Sequence, residues 1–167
     1  MAQNQTAVSE SFWTEIGLGR CGKFYRDSYF ILALAAGVGV WGVAWFVAPQ
    51  FFANLSLTNY ALLASVILWQ PMLEELLFRG VIQGQAAQQT WGKVEYWGVS
   101  GANLITTSLF ALSHLVYHTP IWAAAVLVPS LVFGHFRDRY KSVWPGLVLH
   151  VFYNAGYFLI GAMIHEG

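Results

Sequence analysis

Apolar and polar positions along the chain fall into long blocks, not into the alternation of half-buried strands or the stripes of amphipathic surface helices. The first block, Tyr29 to Ala48, holds about 20 residues without a charge, the length needed to cross a hydrocarbon layer of about 30 Å. It carries Ala33 and Gly37, then Ala35 and Gly39, small residues at i and i+4 that let helices approach closely. A second block opens at Tyr60 and closes in Gln70-Pro71-Met72-Leu73-Glu74-Glu75-Leu76-Leu77-Phe78-Arg79-Gly80. Its helix can run on past Gly80, since Gln83 to Gln89 tolerate helix and no proline intervenes. Gly98 to Tyr117, Pro120 to Phe136 and Trp144 to Ile164 supply three more blocks. The pattern predicts an all-α membrane bundle of about five transmembrane helices.

The polar stretches between the blocks orient the bundle. Arg20, Lys23 and Arg26 precede the first block, Lys93 lies between the second and third, and Arg137, Arg139 and Lys141 lie between the fourth and fifth. The remaining connections lack Lys and Arg, so the positive-inside rule places the N-terminus in the cytoplasm and the C-terminus outside. Residues 1–28 read as a cytoplasmic or interfacial segment and 29–167 as one transmembrane domain. Trp91 to Trp97, with Lys93 and Glu95, suits the headgroup region. Composition agrees: 57% hydrophobic and 10% charged residues depart far from the roughly one-quarter charged average of soluble domains. Eight basic and eight acidic residues cancel, leaving no global field for nucleic acid. Cys21 stands alone, after Arg20 and ahead of the first apolar block, so neither an internal disulfide nor a lipoprotein signal is expected, and no cleaved targeting peptide. The expected setting is the cell membrane, with a multi-pass chain in contact with the bilayer.

Ionisable residues inside apolar blocks are costly, about 2.5–3.5 kcal/mol for a carboxylate near the bilayer centre, and mark functional sites by default. The second block holds Glu74, Glu75 and Arg79 within six positions. Glu75 and Arg79, at i and i+4, share a helical face, whereas Glu74 points about a hundred degrees away. The third block adds His114; the fifth adds His150 and Asn154, again at i and i+4. Together these provide a general base, two imidazoles and an amide donor, the types used to activate water and hold an oxyanion in acyl transfer. Other uses stay open at this point. Single histidines and asparagines link membrane helices, a buried carboxylate serves proton-coupled carriers, and Glu74, His114 and His150 have the composition of a two-histidine, one-carboxylate metal site. His118, His135 and His165 fall at block ends, where solvated or headgroup contacts account for them.

Glu74-Glu75-x-x-x-Arg79-Gly80, Phe110-x-x-x-His114 and His150-x-x-x-Asn154, in that order, resemble the three motifs of the CAAX protease and bacteriocin-processing (CPBP, or Abi) family of intramembrane endopeptidases. Ser142-Val143-Trp144-Pro145-Gly146 is similar to the family's approach to its third motif. The likeness covers about residues 60–157. It implies a glutamic-type peptidase that needs no metal or other cofactor, acting on a protein or peptide with a membrane-associated segment. Glu74 and His114 would be the water-activating pair and His150 with Asn154 the oxyanion donors, with Glu75, Arg79 and Phe110 structural or tuning residues.

Overall fold

In a computed structural model describing residues 12–52 and 59–166, each long apolar block is helical. α1 is Ser28–Val47, and α2 runs from Tyr60 to Ala86 without a break. A small hairpin follows, β1 (Glu95–Tyr96) with β2 (Val99–Ser100). Then come α3 (Gly101–His114), α4 (Pro120–Tyr140, interrupted at Val126) and α5 (Trp144–Glu166). Side-chain caps set the helix starts. Asp27 accepts from the Tyr29 N–H, Asn59 from Leu62, Ser100 from Asn103 and Thr119 from Trp122, each satisfying an N–H that has no partner inside its helix.

The sequence pattern predicts five spans; among the described residues four helices, α1, α2, α4 and α5, are long and apolar enough to cross a membrane. The block that falls short is Gly98 to Tyr117. Trp97 and Gly98 both take positive φ, 58° and 80°, forming the two-residue left-handed turn of a tight hairpin. Helix therefore begins only at Gly101, and the chain turns again after His114. The resulting 14-residue helix is about 21 Å long, shorter than the hydrocarbon layer. The α2 helix is longer than the predicted minimum, continuing past Gly80 to Ala86.

Contacts divide the chain into two compact units. One comprises residues 1–24 and 74–146, the other 25–73 and 147–167. In the first, α3 packs on α4, around buried Phe110, Phe133 and Phe136. Gly134 lies against the Asn103 side chain so closely that a Cβ there would collide with it. The preceding segment is tied in by its backbone: the Gly17 carbonyl accepts from Val143 N–H at 3.0 Å and Ser142 Oγ at 3.1 Å.

In the second unit, α1 receives α5 on the Ala33/Gly37 face. Tyr153 donates to the Ala33 carbonyl at 2.9 Å, and its ring fills the space over Gly37, where a Cβ would come within 2.6 Å of it. The parallel pair Ala35/Gly39 has a different fate, with nothing within 4 Å of a Cβ at Gly39. Small-residue spacing thus marked the right helix, and one of its two faces is used for packing.

Candidate active site

Two stretches of α2, Ser65–Trp69 and Glu75–Gln83, are π-helical, a local widening that recurs at functional sites. The second stretch holds Glu75 and Arg79. Both are fully buried, and their charged groups pair at 3.2 Å. The Arg79 guanidinium also donates to the Ser130 carbonyl at 3.1 Å and to Ser130 Oγ at 2.7 Å. Its carbon centre lies over two aromatic rings, 4.6 Å from the Phe110 centroid and 5.2 Å from that of Phe133, within cation–π range of both. Gly146 completes the pocket, because a Cβ there would sit 2.8 Å from Glu75 Oε2.

From Ser130 the polar contacts continue through helix faces that hydropathy reads as uniformly apolar. Ser130 Oγ donates to Thr107, Thr107 to Asn103 Oδ1, and Asn103 Nδ2 to the Leu131 carbonyl. At the other end of the unit Asp138 accepts from Gln83 and Ser100. Arg137 donates to the Arg79 carbonyl at 2.9 Å and to that of Glu15 at 2.8 Å. Buried polar groups are held by such bonds, although Arg79 Nε and Gln83 Oε1 make none among the described residues. The network locks α2, α3 and α4 in one register.

Phe110 joins that lock to the next residue of interest. Its ring meets Phe78 edge-on at 5.0 Å and His114 at 4.6 Å, and its carbonyl lies 2.9 Å from His114 Nδ1. A carbonyl only accepts, so Nδ1 carries the proton and Nε2 is left as the basic nitrogen of His114. On the far side His118 stacks on His114, with centroids 5.7 Å apart and planes 23° from parallel. Trp122 lies 5.9 Å from His118. Partial burial, and then the neighbouring His114, push the His118 pKa below the usual imidazole value, against an upward pull from Glu74. Glu74 is half-buried on α2, and it is the source of that upward pull on His118. Sequence reasoning passed over His118 because it looked like an interfacial residue. The signal available was its i+4 spacing from His114, carried over the helix end by the His118 N–H to His114 carbonyl bond at 2.8 Å.

His150 and Asn154 belong to the second unit. They share a face of α5, where His150 is buried and Asn154 half-buried. Asn154 Nδ2 donates to the Val66 carbonyl on α2 at 2.9 Å. The first unit thus gathers Glu74, Glu75, Arg79, Phe110, His114 and His118, and the second holds His150 and Asn154. His135 is exposed on α4, and the side chain of His165 lies outside the described residues. Among the described residues no three His, Cys, Asp or Glu side chains are grouped so as to hold a metal ion.

Residues 56–156 match the family model described as Type II CAAX prenyl endopeptidase Rce1-like. Nothing matches the chain among curated proteins or among solved structures.

Proposed function

Since the chain belongs to the Rce1-like family of CAAX endopeptidases and is a multi-pass membrane protease, we propose that it cleaves peptide bonds by a glutamic-type mechanism with water as the nucleophile. The bilayer and a protein or peptide substrate are its partners. The observation that carries the reading is the setting of His114. Its Nδ1 donates to the Phe110 carbonyl, its ring contacts those of Phe110 and His118, its Nε2 is left as the basic nitrogen, and the adjoining His118 feels the charge of Glu74.

In this reading Glu74, assisted by His114 Nε2, takes a proton from water as the oxygen attacks the peptide carbonyl. The tetrahedral intermediate places negative charge on the former carbonyl oxygen, and His150 and Asn154 donate to it. Collapse breaks the C–N bond, and the proton taken from water passes to the leaving amine. Glu75 and Arg79 stay out of the chemistry because each is occupied by the other. We also assign the protein to the cell membrane, and place its N-terminus in the cytoplasm from the distribution of Lys and Arg.

His114→Gln in purified, lipid-reconstituted protein tests the mechanism, and should lower kcat by about 10²–10⁴ while the protein stays folded. A metal chelator should leave the unmodified protein active. Activity abolished by chelator and restored by zinc would replace the glutamic reading with a metal-dependent one.

A further inference from the structure

Pro71 stands in the interior of α2, three residues before Glu74, where proline removes a backbone donor and so leaves a carbonyl one turn back without its partner. The loss falls at the end of the first π-helical stretch. There the Gln70 N–H donates five residues back, to the Ser65 carbonyl, instead of four back to Val66. The Val66 carbonyl has thus lost its α-helical donor, and its π-helical donor would be the N–H of residue 71. Proline has none. In a membrane helix such a freed carbonyl must be satisfied by a neighbour, and here Asn154 Nδ2 donates to it at 2.9 Å.

The contact does more than satisfy Val66. A carboxamide has a donor end and an acceptor end, and a carbonyl accepts only. The Val66 oxygen therefore fixes which end of Asn154 faces α2 and holds the nitrogen in place through one of its two N–H bonds, leaving the second N–H to donate elsewhere.

We propose that Pro71 is a positioning residue: by withholding the N–H that would otherwise reach Val66, it reserves that carbonyl to orient Asn154. The role matters for the reaction through the reading of Asn154 as an oxyanion donor, and the two are separable by experiment. Pro71→Ala restores the missing N–H, which then competes with Asn154 for Val66. The expected result runs against the usual effect of mutating a buried residue. Melting temperature stays equal or rises, KM changes less than about twofold, and kcat falls about tenfold or more, up to the roughly 10²–10³ that complete loss of one oxyanion donor produces. Adding Pro71→Ala to Asn154→Ala should cost no further rate.

Side-chain amide NMR of asparagine-labelled protein supplies a readout independent of activity. In the unmodified protein the two Asn154 Nδ2 protons should be well separated, one bonded and one not, and Pro71→Ala should collapse that separation. Pro71→Ser, which also restores the N–H, serves should the alanine variant fold poorly. An Asn154 amide already averaged in the unmodified protein, or a kcat in Pro71→Ala or Pro71→Ser that merely follows folded fraction, would overturn the proposal. An Asn154→Ala protein of full activity would instead remove the oxyanion reading, while the NMR comparison would still decide whether Pro71 orients the amide.

Discussion

Arg79→Ala is the perturbation whose consequence the structure specifies most fully. The substitution leaves the Glu75 carboxylate, fully buried, without the guanidinium 3.2 Å away. Stranding one partner of a buried ion pair costs about 3–5 kcal/mol. Two ring contacts, at 4.6 and 5.2 Å, are lost as well, each worth about 0.5–2 kcal/mol. The stranded charge is therefore the largest effect. A second substitution isolates it: in Glu75→Gln protein no carboxylate is left to strand, so Arg79→Ala should be less damaging there by about 1–3 kcal/mol. Arg79→Lys should fall between, keeping a charge but losing the planar group that contacts Phe110 and Phe133. Unfolding in mixed micelles, followed by tryptophan fluorescence, measures all four variants and the unmodified protein. An Arg79→Ala protein within about 1 kcal/mol of the unmodified one, or an Arg79→Ala cost that is the same with and without Glu75→Gln, would refute the assignment of Glu75 and Arg79 as a structural pair.

The other expectations concern orientation and the imidazole pair. A reporter fused after Lys141 should read cytoplasmic and one after Gly167 external; the same side for both would remove α5 as a spanning helix. His118→Ala should lower kcat several-fold by freeing the His114 ring, and His118→Phe, which keeps a ring over His114, should restore most of it. Because its pKa lies below the usual imidazole value, His118 is neutral near pH 7 and charges only in more acidic solution. There its positive charge attracts the Glu74 carboxylate and so hinders it from taking a proton from water. The kcat/KM profile of His118→Phe should accordingly hold up to lower pH than that of the unmodified protein, and superimposable profiles would deny His118 any electrostatic part.

Fold class and the motif residues were legible because a bilayer makes both conspicuous: about 20 uncharged residues read as a span, and a carboxylate inside one reads as an exception. The pairing of Glu75 with Arg79 followed from i, i+4 spacing alone. Hydropathy concealed other features. Asn103, Thr107 and Ser130 are polar enough to form the buried network yet too few to mark their helices as anything but apolar. The short α3 was overestimated because Gly98 to Ser100 and Leu115 to Tyr117 raise the apolar count while Trp97, Gly98 and the turn after His114 break the helix. The π-helical stretches leave no hydropathy signature, so the link from Pro71 through Val66 to Asn154 is visible only once backbone hydrogen bonds are counted one by one.

The account rests most heavily on Glu74 as the base that activates water, and one comparison tests it directly. Cleavage of a membrane-tethered peptide by purified, lipid-reconstituted Glu74→Gln protein should be slower than by the unmodified protein by about 10²–10⁴, with the same melting temperature and substrate affinity. A Glu74→Gln protein that is folded and cleaves at the full rate would contradict the mechanism at its first step.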